Sequence, residues 1–220
     1  MIKIIIFDLD GLLVDSQPLQ YKAYNLVFSK YGFPLSLDDW HEWIHKSMNP
    51  KMWIQKNKLP LDAEKIRAEK KKIYDKFIRD ELELKTGARN LINKFYGKFR
   101  LCVASSSRIE SIKSVLNKFN LESKFEIMIS DTEMTKGKPY PDIFLRASAL
   151  MNVKPEECVV IEDSVAGLKA AKAAGMACIV CPDKFAATKP TKFANADKVV
   201  NSLDEITSEI IETCYNSLYE

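Results

Sequence analysis

The 220-residue sequence predicts an α/β protein with a parallel sheet and a helical segment inserted after the first strand. Three observations support this prediction. Residues 2–7 are nearly all apolar and mostly β-branched, which is typical of a strand buried on both faces. Residues 16–79 contain several helical patterns and no convincing strand. From residue 83 onward, short apolar runs alternate with helical patterns, which indicates strands joined by crossover helices.

The inserted segment shows apolar residues at helical spacing, separated by residues that end helices. Gly32 ends the first pattern. Ser36 is suited to cap the second helix, and Asp39 stands three residues later, where a capping box needs an acceptor. The predicted helices span residues 18–31, a stretch from residue 36 to the Asn-Pro pair at 49–50, residues 51–58 and residues 62–79.

The rest of the chain alternates strands with helices. The predicted strands span residues 99–104, 125–130, 158–161, 177–181 and 198–200. The predicted helices are one that opens at residues 86–88 and those at 108–119, 141–151, 164–174 and 202–219. Such alternation predicts a parallel sheet covered on both faces, with its ligand site at the carboxyl ends of the strands. The inserted segment leaves the sheet directly after the first strand, so it can fold over that edge as a lid.

Composition excludes several classes of partner. The chain carries 33 basic and 30 acidic residues, a net charge of +3, which gives no signal for nucleic-acid binding. No apolar stretch is long enough to span a bilayer, and no leader precedes the first strand, so we expect no membrane partner. The five cysteines are odd in number, and three lie in or beside apolar runs. We therefore expect reduced, buried thiols and a cytoplasmic protein.

Two carboxylates stand where the first strand ends, in Asp8-Leu9-Asp10-Gly11. If the extended conformation continues, Asp8 and Asp10 point to the same side. Carboxylates so close repel each other unless a cation lies between them, and the oxygen ligands suit Mg²⁺. A lone Asp-x-Asp would be read as solvated acids beside a turn. Here the apolar strand in front, and polar groups at other strand ends, favour a functional site.

Three further predicted strands end in polar residues. Ser-Ser-Ser-Arg at 105–108 follows one strand and begins a helix, where hydroxyl and N–H donors can bind an anion. The same residues are also expected at an ordinary serine helix cap. Lys138 lies in a constrained loop between Gly137 and Pro139, where a fixed ammonium can neutralise phosphate. Surface lysines also occur in such turns, and Lys136 is a nearby alternative. Another buried strand ends in the paired acids Glu162 and Asp163.

These motifs together resemble the haloacid dehalogenase-like hydrolases, a family of Mg²⁺-dependent phosphotransferases with an aspartate nucleophile. The resemblance rests on FDLDG at 7–11 with VDS at 14–16, on Ser105, on KPYPD at 138–142 and on EDSVAG at 162–167. The last stretch is similar to a subgroup of β-phosphoglucomutase-like proteins and small sugar-phosphate phosphatases. The resemblance implies a Rossmann-like core, residues 1–15 and 81–220, and an inserted four-helix cap, residues 16–80.

The resemblance also implies a role for each motif residue. Asp8 would be the nucleophile, Asp10 the general acid and base, and Lys138 the cation that neutralises charge on the phosphoryl group. The groups expected to bind phosphate or substrate are Ser105, the backbone of Ser106, the more distal Ser107 and Arg108, and Lys138. The groups expected to hold Mg²⁺ are Asp8, the Asp10 carbonyl and Asp163, the last as a direct ligand. Glu162 is expected either to be a ligand itself or to contact a residue that is one.

The implied function is a phosphatase that works through an aspartyl phosphate. The alternative is a phosphosugar mutase, but the mutases we compare carry a histidine where this chain has Gln20, and glutamine cannot relay a proton in the same way. Gln20 is therefore expected to contact substrate in a hydrolase. His41 and His45 lie four residues apart, which suits a metal, yet no third ligand accompanies them and a helix face is the better interpretation.

Two other readings are weaker. Dehalogenases of the superfamily lack the second aspartate, and a non-catalytic binding protein could lose Asp10 or Lys138 freely. We expect a monomer that acts on a small phosphorylated metabolite, such as a sugar phosphate. The sequence leaves the identity of that substrate open.

Overall fold

The computed structural model describes residues 1–46 and 48–216, which form two compact units. The core unit contains Met1–Val14, Leu84–Asp183 and the described residues from Lys189 onward. The helical unit contains Asp15–Glu83 and Lys184–Thr188. The sequence assigned residues 184–188 to the core, whereas in the structure this short stretch belongs to the helical unit.

The core unit is built on one parallel sheet, which confirms the predicted fold class. Among the described residues the sheet has six strands: β1 (Ile4–Phe7), β2 (Arg100–Ser105), β3 (Ile127–Ser130), β4 (Cys158–Glu162), β5 (Ala177–Val180) and β6 (Lys198–Val199). Their order across the sheet is β3-β2-β1-β4-β5-β6, and every neighbouring pair is parallel. The first strand in sequence is thus central, and the chain winds outward from it on both sides.

The register of the sheet aligns the strand ends from which the candidate residues follow. Phe7 is paired with Val103 on one side and with Ile161 on the other. All four residues of β1 are fully buried, as expected for a strand covered on both faces. Consequently Asp8 and Glu162, each one residue further along its strand, reach the same edge of the sheet.

Nine α-helices lie within residues 1–46 and 48–216: α1 (Gln17–Lys30), α2 (Leu37–His45), α3 (Pro50–Lys56), α4 (Ala63–Asp80), α5 (Ala88–Phe95), α6 (Ile109–Lys118), α7 (Asp142–Leu150), α8 (Val165–Ala173) and α9 (Ser208–Asn216). The helix predicted over 202–219 begins later, because Ser202 caps a 3₁₀ turn at Leu203–Glu205. Residues 217–219 of that prediction lie outside the described part of the chain. None of the described helices combines the length and apolarity needed to cross a bilayer.

The helical unit has its own aromatic core. Three tryptophans, Trp40, Trp43 and Trp53, are buried together with Phe28, and the rings of Trp40 and Trp43 lie 5.9 Å apart. Helix α2 begins with the predicted capping box, in which Ser36 and Asp39 exchange hydrogen bonds. Within the residues that the structure describes, this unit contains four α-helices, α1 to α4.

The stretch Lys184–Thr188 is held to the helical unit by both histidines of α2. His41 Nε2 lies 3.1 Å from the carbonyl oxygen of Phe185, and His45 Nε2 lies 2.9 Å from that of Ala186. Because a carbonyl only accepts hydrogen bonds, both Nε2 atoms carry the proton. The Phe185 ring also lies 6.0 Å from that of Tyr21. The spacing of the two histidines therefore serves a main-chain contact.

Candidate active site

Lys138 joins the ends of three strands. Its Nζ atom lies 2.5 Å from Asp8 Oδ1, 2.5 Å from Glu162 Oε1 and 3.1 Å from the carbonyl oxygen of Ala104. Asp8 follows β1 and is almost fully buried, and its N–H donates to the Ile161 carbonyl at 3.0 Å. The lysine and aspartate that the sequence singled out thus form a buried ion pair at the carboxyl edge of the sheet.

Glu162 is fully buried, and both of its carboxylate oxygens accept hydrogen bonds. Oε1 accepts from Lys138, and Oε2 accepts from the Ser164 hydroxyl at 3.0 Å and the Asp163 N–H at 3.1 Å. Gly167 permits this arrangement, because a Cβ atom there would lie 1.9 Å from the Glu162 carboxylate. The sequence predicted that Glu162 either binds the metal or supports a residue that does, and in the structure its oxygens accept from Lys138 and from the start of α8.

Asp10 is held by two serines at the end of β2, Ser105 in its last position and Ser107 just after it. Ser107 Oγ donates to Asp10 Oδ2 at 2.7 Å, and Ser105 Oγ lies 3.4 Å from the same oxygen. Ser107 is itself fixed, because its N–H donates to Ser105 Oγ at 3.0 Å and its carbonyl accepts from Ser130 Oγ at 2.7 Å. The sequence assigned Ser107 to a distal part of the substrate, and the contact with Asp10 gave no signal in the sequence.

The other predicted substrate residues make different contacts. Ser106 is exposed, and its hydroxyl donates to Asp131 Oδ2 at 2.5 Å. Arg108 is exposed at the start of α6. Gln20 belongs to the helical unit, where its side-chain oxygen accepts a hydrogen bond from Lys70. The structure therefore brings Asp8, Asp10, Ser105, Ser107, Lys138, Glu162 and Asp163 to the core site.

Asp163 lies against the turn that follows β1. A Cβ atom on Gly11 would be 2.3 Å from Asp163 Oδ2 and 3.0 Å from Asp183 Oδ2. Gly11 also has a φ of +89°, a backbone conformation that favours glycine. Asp183 is buried and pairs with Lys85 at 3.2 Å. Sequence reasoning missed Asp183 and Lys85, since each is one charged residue in a loop without a motif.

Burial and neighbouring carboxylates raise the pKa of Asp8 and that of Asp163. Burial raises the pKa of Asp8, the charges of Glu162 and Asp10 add to the rise, and Lys138 opposes it. Burial, then the charges of Glu162, Asp8 and Asp183, raise the pKa of Asp163 as well. Burial acts to lower the pKa of Lys138, but Asp8 and Glu162 outweigh it and raise that pKa. When all of them are ionised, Asp8, Glu162 and Asp163 carry more negative charge than Lys138 offsets.

This donor set fits a hard divalent cation. The carboxylates of Asp8 and Asp163 are oxygen donors, which suit Mg²⁺, and their mutual repulsion is what a bound cation would relieve. Within residues 1–46 and 48–216, no three side chains of His, Cys, Asp and Glu form a ready-made metal group. A cation here would need main-chain, water or phosphate oxygens to complete its shell, which is usual for Mg²⁺.

Comparisons with known proteins agree with the geometry. Residues 5–181 match the family described as haloacid dehalogenase-like hydrolase. A phosphorylated carbohydrates phosphatase from Thermotoga maritima is 30% identical over 179 residues, 78% of this chain and 81% of the relative. Hexitol phosphatase B from Escherichia coli K12 is 31% identical over 216 residues, 93% of this chain and 94% of the relative.

A solved structure is similar over nearly the whole chain. It is that of a CbbY mutant from Rhodobacter sphaeroides in complex with xylulose-(1,5)bisphosphate. The TM-score is 0.81 at 28% sequence identity, covering 93% of this chain and 96% of the other.

Proposed function

Because the chain belongs to the haloacid dehalogenase-like hydrolases and is a phosphatase of that family, we propose that it hydrolyses phosphomonoesters of sugars or sugar alcohols with the help of Mg²⁺. Two relatives named for phosphorylated carbohydrates and hexitols support this substrate class, as does the bisphosphate-bound structure of similar fold. The proposed reaction passes through an aspartyl phosphate on Asp8.

One observation supports this proposal most strongly. A buried carboxylate, Asp8, is paired with a buried ammonium, Lys138, while a second carboxylate, Asp10, is held by hydroxyl groups from the next strand. A nucleophile and an acid–base group in separate environments are what a two-step phosphoryl transfer requires. Burial in a dry site also strengthens each electrostatic contact with the phosphate.

The proposed chemistry balances in two steps. In the first, an oxygen of Asp8 forms a bond to phosphorus, the bond to the ester oxygen breaks, and Asp10 gives that oxygen its proton. In the second, Asp10 takes a proton from a water molecule, the water oxygen bonds to phosphorus, and the bond to Asp8 breaks. Inorganic phosphate and the free alcohol leave, and Asp10 and Asp8 return to their starting states.

The other residues stabilise charge during both steps. Lys138 stabilises negative charge on the phosphoryl oxygens while Glu162 keeps the ammonium in place. Ser105 offers a hydroxyl beside Asp10. Bound Mg²⁺ would be held by Asp8, Asp163 and the Asp10 carbonyl, and it would supply positive charge against the phosphate. We propose Gln20, in the helical unit, as one residue that selects the leaving group.

The first experiment is a substrate screen of the purified chain. Release of inorganic phosphate from sugar, sugar-alcohol and nucleoside monophosphates is measured in Mg²⁺ and in EDTA. We expect Mg²⁺-dependent release, highest with a carbohydrate phosphate. The panel includes β-glucose 1-phosphate with a trace of the 1,6-bisphosphate, and formation of glucose 6-phosphate without phosphate release would identify a mutase instead.

The nucleophile is tested with Asp8→Asn, which keeps the shape of the side chain. We expect hydrolysis to fall by at least about 10³-fold because the amide cannot form the aspartyl phosphate. Asp131→Asn is the matched control, since the Asp131 carboxylate accepts a hydrogen bond from the exposed Ser106 hydroxyl and an amide oxygen at this position can still accept it. Turnover by Asp8→Asn at the rate of the parent protein would refute the mechanism.

We propose the cellular compartment from the buried thiols and the oligomeric state from the length of the chain. Cys102, Cys158 and Cys178 are buried, and burial raises the pKa of each thiol, which keeps them inert and suits a reducing compartment. We therefore propose a cytoplasmic enzyme that acts as a monomer, which size-exclusion chromatography with light scattering would test.

A further inference from the structure

Asp183 is a buried charge outside the motifs used so far. It lies in the loop after β5, and none of its side-chain surface is exposed. Lys85 Nζ lies 3.2 Å from its Oδ2 atom, and a quarter of the Lys85 side chain remains exposed. A carboxylate with no exposed surface is costly to keep in its charged form. Such a residue calls for a role that offsets this cost.

The position of Asp183 indicates that role. Its Oδ2 atom and the Oδ2 atom of Asp163 approach the same point, the place where a Cβ on Gly11 would stand, at 3.0 Å and 2.3 Å. Because both distances are measured from one point, the two carboxylate oxygens lie no more than 5.3 Å apart. Gly11 directly follows Asp10, whose carbonyl is part of the proposed metal site. Asp183 and Asp163 thus both lie against the turn at Gly11.

We infer that Asp183 is a positioning residue for the proposed Mg²⁺ site, in which its carboxylate, anchored by Lys85, accepts a hydrogen bond from water in the metal's shell beside Asp163. It also adds negative charge that draws the cation. Groups behind the direct ligands commonly change metal affinity by about 10- to 100-fold. The inference rests on the proposed function, because it assigns Asp183 to the same metal.

Lys85 should have the opposite effect of Asp183 on the affinity for Mg²⁺. Its ammonium partly cancels the charge of Asp183. Neutralising Asp183 should weaken Mg²⁺ binding, and neutralising Lys85 should strengthen it, since charges a few ångströms from the cation act in opposite directions. Damage to the fold alone would weaken binding in both variants.

The test measures Mg²⁺ binding to substrate-free protein from the rise in Tm as MgCl₂ is added, with no reading of activity. We expect Asp183→Asn to raise the half-saturating Mg²⁺ concentration about tenfold. Lys85→Gln, whose amide can still donate to Asp183, should lower it by about threefold. Lys85 is partly exposed, so this second variant keeps the test open if Asp183→Asn does not fold.

Asp197→Asn is the matched control. Asp197 is also an acid of the core unit, with a side chain only 8% exposed, and it is paired with a partly exposed lysine, Lys172, at 2.9 Å. It precedes β6 and bonds to Cys178 near the start of β5, at the opposite, amino end of those strands. We expect this variant to have a lower Tm without Mg²⁺ and an unchanged half-saturating concentration.

The outcomes separate this inference from the proposed function. Equal half-saturation in Asp183→Asn and the parent protein overturns the role of Asp183, as does weaker binding in Lys85→Gln. A parent protein whose Tm does not respond to Mg²⁺ also overturns it. The phosphatase proposal is judged independently by phosphate release in the substrate screen.

Discussion

Lys138 keeps its positive charge because of the side chains around it. Its ammonium is nearly fully buried between Asp8 and Glu162, each 2.5 Å away. Burying a charge alone costs several kcal/mol, so the lysine keeps its proton because two carboxylates outweigh the desolvation. Glu162 thus keeps the cation in place, while Asp8 remains the group that reacts.

Gly167→Ala tests the support behind Lys138. The added Cβ would lie 1.9 Å from the Glu162 carboxylate, so Glu162 must move and Lys138 loses its anchor. We expect kcat to fall by about 10²-fold and the stability to fall by about 1–3 kcal/mol. Phosphate release and thermal unfolding measure the two effects.

Gly97→Ala separates the two effects. A Cβ there meets nothing within 4 Å, but the φ of +81° makes the substitution strained. It should cost roughly 1 kcal/mol and leave kcat unchanged. A kcat loss of the same size in both variants would attribute the effect to instability rather than to Glu162.

Ser107→Ala tests the hydroxyl that holds Asp10. A hydrogen bond to a charged group contributes about 1.5–3 kcal/mol, so losing the 2.7 Å contact should lower kcat by about tenfold with a smaller change in KM. Ser106→Ala is the paired control, because its hydroxyl contacts Asp131 and its backbone N–H is retained. Equal kcat in the two variants would show that Ser107 does not position Asp10.

At the level of elements, the sequence predicts most of the sheet because each strand is a short apolar run bounded by turns. The parallel register then brings the strand ends together, which explains why Asp8, Ser105 and Glu162 share one edge. The predicted strand at 125–130 is shorter in the structure, Ile127–Ser130, because Phe125 closes a 3₁₀ turn. Local hydrophobicity marks the strand but not the turn that trims it.

Helix α2 offers a prediction at the same level. Its capping box pairs Ser36 with Asp39, and Ser36→Ala removes the side-chain acceptor for the Asp39 N–H. We expect a loss of about 1 kcal/mol, or roughly 2–4 °C in Tm, if the protein unfolds as one unit. Ser29→Ala, at an exposed position of α1, should change Tm far less. Equal Tm losses would contradict a specific capping effect.

For the whole molecule, the sequence accounts for contacts within motifs better than for contacts between distant segments. Residues 184–188 join the helical unit through the carbonyl groups of Phe185 and Ala186, which any sequence would present. The pair of Lys85 with Asp183 likewise joins two loops 98 residues apart. The spacing of the two histidines is visible in the sequence but their carbonyl partners are not, and Lys85 and Asp183 are isolated charges, so neither contact can be predicted before the fold is known.

The unbalanced charge of the site has a consequence for the stability of the whole protein. Asp8, Glu162, Asp163 and Asp183 are all buried in the core unit, and the charges of the others raise the pKa of Asp163. Lys138 opposes this rise only in part. The folded state without a cation therefore carries repulsion that the unfolded chain lacks.

Asp163→Asn should relieve that repulsion at the expense of the metal site. In EDTA we expect the variant to unfold about 2–4 °C above the parent protein, a gain of about 1 kcal/mol. In Mg²⁺ the order should reverse, since the parent gains stability from the bound cation and the variant, which has lost a ligand, does not. Asp75→Asn, which breaks an exposed ion pair with Lys71, should change little in either condition. If the variant is less stable than the parent protein in EDTA, the Asp163 carboxylate stabilises the folded state even without a cation. Repulsion among the carboxylates at this edge would then not be the dominant effect.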